Sequence, residues 1–194
     1  MVSSTKRTET VQVGHHIIAI YHTFEDEIDE AFEFLKEGLK RNEAVMILTE
    51  DLGKDMLIGK MKENEEELGK FEDLEKKGDV TIEFTSGWYF PDNTNPDTDR
   101  IVAMFVAMVD LAISNGKKAI RIFGDMSSFF HYGFAMDLLK CESVLGKRFE
   151  LPLIGVCAFL TEAADSFNPE QFEQLQQCHH SVWNTRTGDR GAHS

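Results

Sequence analysis

The sequence predicts an α/β fold of three layers, a mainly parallel sheet with helices on both faces. Two observations predict it. Apolar runs of strand length alternate with longer stretches of helical period along all but the ends of the 194 residues, the pattern of βα units. The runs are also nearly continuously apolar, as strands buried on both faces must be. At 42% hydrophobic residues, there is ample material for the two cores such a sheet needs.

The first run, His15 to Tyr21, is rich in β-branched residues and reads as a buried strand. Ile28, Ala31, Phe32, Leu35 and Leu39 follow at three- and four-residue spacing, one face of a helix. Ala44 to Thr49 is the second strand. Leu52 to Lys77 is rich in lysine and glutamate and reads as one or two helices with a solvated charged face. Val80 to Thr85 is the third strand. Gly87 to Asp99, with Pro91, Pro96, Asn93 and Asn95, carries turn chemistry and reads as a loop. Ile101 to Ile113 is an apolar helix stopped at Asn115-Gly116. Ala119 to Asp125 is the fourth strand, and a helix from about Gly133 to Leu145 stops at Gly146. Leu151 to Phe159 is the fifth strand. Pro169 to about His179 is the last helix, with Asn168 as N-cap and proline at its first position. The expected organisation is a flexible segment at 1–12, one domain at 13–183 and a polar, disordered tail at 184–194.

Charge narrows the function. With 34 Asp+Glu against 20 Lys+Arg the net charge is −14, which excludes direct nucleic-acid binding through a clustered basic face and disfavours an anionic membrane surface. No apolar window spans a bilayer, and the polar start has no signal-peptide core. Three dispersed cysteines, Cys141, Cys157 and Cys178, form neither a disulfide framework nor a CxxC pair. The expected setting is cytoplasmic, with reduced thiols.

Candidate chemistry gathers at the carboxyl ends of the strands, where open parallel sheets bind ligands. The fourth strand, ending in Gly124-Asp125-Met126, resembles a Walker B strand. The loop after the first strand, however, is Tyr21-His22-Thr23-Phe24-Glu25-Asp26-Glu27. It lacks the glycines and lysine that cradle phosphates, and its three acids repel a triphosphate. P-loop ATP hydrolysis is excluded; Asp125 then reads either as a functional acid or as the cap of the following turn. The histidines match no zinc spacing, no nucleophile elbow or HExxH is present, and Cys157 reads as a buried thiol. Neither catalysis, nor a metal, nor a cofactor is expected. The clusters Trp88-Tyr89-Phe90 and Phe129-Phe130-His131-Tyr132 read as a lid over the sheet end, a dimer surface, or the wall of an apolar pocket.

The order of segments carries a resemblance. Tyr21 ends the first strand; Phe34-Leu35-Lys36-Glu37-Gly38-Leu39 and Glu43-Ala44-Val45-Met46-Ile47-Leu48 follow. Ile122-Phe123-Gly124-Asp125-Met126, the helix with Glu142, Val156-Cys157-Ala158-Phe159, and Phe172-Glu173-Gln174-Leu175 leading to His179 complete the pattern. Over about residues 13–183 the chain resembles the MEDS family, the methanogen/methylotroph, DcmR-type sensory domain. The resemblance implies a RecA/KaiC-like fold without a P-loop and a prokaryotic sensory role directed at small hydrocarbon derivatives. Family-like positions are His15, Tyr21, Gly38, Glu43, Gly124, Asp125, Met126, Glu142, Cys157 and His179. Phe159 departs from the pattern, standing where the family often has a tyrosine followed by an acid.

The expected function is non-catalytic sensing of a small, mostly apolar ligand at the strand ends. The expected ligand-binding residues are His15, Tyr21, Trp88, Tyr89, Asp125, Met126, Glu142, Cys157 and His179. Output would pass to a separate signalling protein, a kinase or transcription regulator, or through a homodimer. A competing expectation is a protein–protein interaction module whose acidic Glu50–Asp79 region docks a basic partner; a weaker one is a metal or haem sensor using His15, His22, His131 or His179.

Overall fold

A computed structural model describes residues 10–184. Residues 1–9 and 185–194, which include most of the two segments expected to be flexible, lie outside the described residues. Residues 10–12 of the expected N-terminal segment are described, and Val11 is buried there, its carbonyl accepting from Arg41 Nη1.

Six parallel strands form one sheet in the order β3-β2-β4-β5-β1-β6. They are β1 (His16–Tyr21), β2 (Ala44–Thr49), β3 (Val80–Phe84), β4 (Ile120–Asp125), β5 (Leu153–Leu160) and β6 (Ser181–Asn184). The first five match the apolar runs. β6 is additional: four residues at the end of the strand order, paired among the described residues with β1 alone, too short for period or composition to announce.

Crossover direction explains the layers. The connections β1→β2 and β2→β3 run one way along the sheet, and the remaining three run the other way. Since crossovers of this kind are right-handed, the two sets put their helices on opposite faces. One face holds α1 (Phe24–Arg41), α2 (Asp51–Glu63), α3 (Glu65–Leu68) and α4 (Phe71–Lys77). There Phe34, Leu35, Leu57 and Phe71 pack on Ile17, Tyr21, Val45 and Phe123. The other face holds α5 (Thr85–Tyr89), α6 (Thr98–Ser114), α7 (Ser127–His131), α8 (Ala135–Leu145), α9 (Thr161–Asp165) and α10 (Pro169–Gln177). There Ile101, Phe105, Leu138 and Leu175 pack on Ile18, Met46, Ile122 and Cys157.

Local chemistry fixes the helix ends. The Thr23 hydroxyl accepts from Asp26 N–H, three acids occupy the first turn of α1, and Asn42 closes it with φ 58°. Asn168 and Gln171 form a capping box at α10, with Pro169 at the first position. The 87–99 segment differs from the expected loop: α5 and a 3₁₀ turn at Pro91–Asn93 occupy it. Arg100 secures this segment by donating from Nη2 to the carbonyls of Trp88 (2.8 Å) and Tyr89 (3.0 Å). Part of each aromatic cluster is accordingly core, while His131 and Tyr132 remain exposed. Tyr89, Phe90 and Phe129 are buried, with Tyr89 and Phe90 edge-on to Phe129 at 4.9 and 5.2 Å.

Among the described residues, no helix is long and apolar enough to cross a membrane.

Candidate functional site

Beneath α8, four polar side chains meet inside the apolar layer: His16, Glu142, Cys157 and His179, all buried. Their nearest nitrogen, oxygen and sulfur atoms lie within 4.8 Å of one another. Each comes from a different element. His16 opens β1, Cys157 sits in the middle of β5, Glu142 lies on the inner face of α8, and His179 follows the end of α10. His16 Nε2 stands 3.1 Å from Glu142 Oε2, and His179 Nε2 stands 3.3 Å from the same oxygen. Cys157 Sγ is 3.4 Å from His16 Nε2 and 3.6 Å from Glu142 Oε1.

Backbone geometry aims the two imidazoles. Gly146, with φ 73°, ends α8, and its carbonyl accepts from His16 Nδ1 at 2.8 Å. The Leu175 carbonyl, in the last turn of α10, accepts from Cys178 N–H and also from His179 Nδ1 at 2.7 Å. A carbonyl only accepts, so both Nδ1 atoms carry the proton and both Nε2 atoms face the carboxylate. Burial opposes the charged form of His16, but the Glu142 carboxylate outweighs it and raises the His16 pKa. Burial likewise opposes the Glu142 carboxylate; His16 and His179 reverse this and hold it well below the usual range. Burial, then the charge of Glu142, pushes the Cys157 thiol well above its ordinary value.

A cavity of about 20 Å³ adjoins this cluster, room for one water-sized body. His16, Glu142 and Cys157 form its polar side, and Tyr89, Met126 and Phe149 are among its apolar walls. It runs along the sheet face under α8, inward of the strand tips. Gly155 makes space for it: a Cβ there would stand 2.9 Å from Phe149 Cε2 and 3.4 Å from His16 Cδ2. Gly155→Ala is therefore expected to push Phe149 inward and cost about 1–3 kcal/mol, checked by denaturant titration; an unchanged midpoint would mean that Phe149 is free to move away.

Of the residues singled out from sequence, the structure brings Tyr89, Met126, Glu142 and Cys157 to the cavity and His179 to the adjoining cluster. The others stand elsewhere. Trp88 is half-buried and packs on Phe105, itself a cavity wall, at 6.0 Å. Tyr21 lies on the opposite face, beside Phe123 at 6.3 Å. Successive side chains of a strand point to opposite faces, so His16 enters the cluster while His15 stacks on His180 at 4.2 Å. The strand signal located the histidine pair but not which member faces α8. Phe149 and Gly155 carried no sequence signal.

Asp125 ends β4 and its Oδ1 accepts from Ser127 N–H at 2.8 Å, the turn-capping geometry. Glu50 nearby accepts from Ser86 and Ser128. Burial, and then the charge of Glu50, raises the Asp125 pKa to about 6 against the opposing Ser127 hydrogen bond. Burial and the Asp125 charge also raise Glu27 well above its ordinary value. Because the folded pKa of Asp125 is raised, the associated stability is full below its ordinary value of 3.8 and is lost as pH climbs through about 6. Asp125→Asn keeps the acceptor and removes the buried charge. It should stabilise the protein by about 1–3 kcal/mol at pH 7, with the gain fading at acid pH; melting curves across pH would show it, and a gain independent of pH would refute it.

The profile of the MEDS family, described as the methanogen/methylotroph, DcmR sensory domain, matches residues 15–180. Compared with curated proteins, the chain has no match. The matched stretch runs from the start of β1 past the end of α10 and contains His16, Glu142, Cys157 and His179. On that match the chain belongs to the MEDS family of sensory domains.

Proposed function

We propose that this sensory domain is non-catalytic and detects a small, mostly apolar molecule, a hydrocarbon derivative carrying one polar group, in the cavity under α8. The observation that carries the reading is the cavity's lining: apolar and aromatic on most sides, with one polar wall of His16, Glu142 and Cys157. Such a lining suits a short carbon skeleton with a single heteroatom. The space of about 20 Å³ is smaller than any such molecule beyond one or two heavy atoms. Entry of a larger one requires Tyr89, Leu145 or Phe149 to move, which couples occupancy to α5 and α8. Those helices would present the signal to a separate signalling protein or to a second copy, by shifting a pre-existing equilibrium.

Trp88 reports on this site through Phe105. In a Trp183→Phe background, which leaves one tryptophan of the two, titration with short-chain halogenated and methylated compounds should change Trp88 emission and raise the melting temperature. Silence in both readouts across the panel would refute the reading.

A further inference from the structure

We propose that His16, His179, Cys157 and Glu142 form a binding site for one divalent ion of the zinc class. Four observations carry it. The first is the set of distances. A tetrahedral ion bonded at about 2.0–2.1 Å to nitrogen and oxygen and about 2.3 Å to sulfur holds its ligand atoms about 3.3–3.6 Å apart. Four of the separations are 3.1 and 3.3 Å from the two imidazoles to Glu142 Oε2, 3.4 Å from Cys157 Sγ to His16 Nε2 and 3.6 Å from Cys157 Sγ to Glu142 Oε1. The four ligand atoms all lie within 4.8 Å of one another, a set that a small inward shift brings to tetrahedral spacing.

The second is direction. Each imidazole gives its Nδ1 proton to a backbone carbonyl, the outer-sphere arrangement that fixes the tautomer and points Nε2 at a metal. The two carbonyls belong to separate helix ends, α8 and α10, so the convergence does not come from one local turn.

The third is the state of the inner atoms. Glu142 Oε2 and His179 Nε2 are completely buried and within ion-pair distance of each other at 3.3 Å, as Oε2 is of His16 Nε2, yet neither atom meets hydrogen-bond geometry with any partner among the described residues. A buried polar atom without a partner is costly. Two such atoms aimed at one point are both satisfied by a cation placed there.

The fourth is charge. A carboxylate and a thiolate together balance a divalent ion, so the filled site is neutral in a region that tolerates no net charge. On binding, Cys157 releases its thiol proton to solvent, both imidazoles bind through neutral Nε2, and no redox step occurs. The donor set of one thiolate, two imidazoles and one carboxylate selects zinc or cobalt over magnesium or calcium, which prefer all-oxygen shells. Since His16, Glu142 and Cys157 also wall the cavity, the filled, four-ligand site would fix the shape of that polar wall.

Cobalt(II) is the probe, because a cobalt–thiolate bond produces a charge-transfer absorption that carboxylate and imidazole ligands do not. The full chain, stripped with a chelator, should take up one equivalent of cobalt with that band, and zinc should displace it. The chain has three cysteines, so a Cys141→Ala/Cys178→Ala protein leaves Cys157 as the single thiol and should keep the band. Cys157→Ser should lose it. His179→Gln should weaken uptake by at least about a hundredfold, the upper end of what loss of an outer-sphere partner costs. Uptake without the band, as on an acidic surface, overturns the site, as does a band that survives in Cys157→Ser or vanishes in the Cys141→Ala/Cys178→Ala protein. None of these readouts uses an organic ligand, so they stand or fall separately from the sensing role.

Discussion

Metal-free Glu142→Ala protein is expected to be less stable than the parent by about 3–5 kcal/mol, the usual result of removing one partner from a buried charge cluster. At this chain length that is a fall of roughly 6–20 °C in melting temperature. The size follows from the surroundings. Glu142 is the only acid touching His16 and His179 among the described residues, and both rings are held by their Nδ1 hydrogen bonds with Nε2 directed inward. Without the carboxylate, neither ring can turn to water, and Cys157 Sγ, 3.4 Å from His16 Nε2, is only a weak acceptor. Glu142→Gln, which keeps the volume, should lose less than the alanine variant but still more than a surface substitution. Chemical denaturation in the presence of a chelator measures both, and a loss below about 1 kcal/mol for Glu142→Ala would mean that the cluster is mere filling.

On the other face of the sheet, Arg121→Met should be comparably damaging, again by about 3–5 kcal/mol. Arg121 is fully buried in β4. Its Nε donates to Glu43, its guanidinium lies 5.0 Å from the Phe34 ring, and Gly38 leaves room for its stem. Removing the cation strands Glu43, which is itself buried. The decisive comparison is the double variant Glu43→Leu/Arg121→Met. Neither terminal nitrogen of Arg121 has a hydrogen-bond partner among the described residues, so the ion pair is incompletely satisfied, and replacing both partners with apolar groups should restore most of the lost stability. A double-mutant cycle reads the coupling directly; additive losses would refute the pairing.

How much of this was legible in the sequence depended on whether the signal was local. Five strands announced themselves because doubly buried strands are continuous apolar runs. The caps at Thr23 and Asn168 are local chemistry as well, each a side-chain oxygen just ahead of a helix that accepts from its first turn. The site is different. Glu142, Cys157 and His179 drew attention one at a time, but their meeting with His16 depends on strand order and on which face each helix covers, and no spacing rule along the chain encodes either. The zinc patterns that sequence reading looks for place ligands a few residues apart; here four elements contribute one ligand-type atom each. The aromatic clusters were legible only as alternatives, a lid, a dimer surface or a pocket wall, for a related reason. Tyr89, Phe90 and Phe129 follow strands, where loops are expected, yet short helices turn their rings into the core.

The cluster under α8 also has a consequence for how the chain holds its ends. His16 and Cys157 are 141 positions apart, and His179 lies farther along still, so their contacts close most of the polypeptide into a ring. Ring-closure entropy grows only logarithmically, by about 0.6 kcal/mol for each doubling of length. A clasp between the first strand and the turn leading into the last is thus hardly costlier than one across a much shorter loop. A four-residue edge strand such as β6 would ordinarily fray on its own. Fastened immediately beside His179, its amides should instead exchange hydrogen together with those of β1, only when the whole sheet opens.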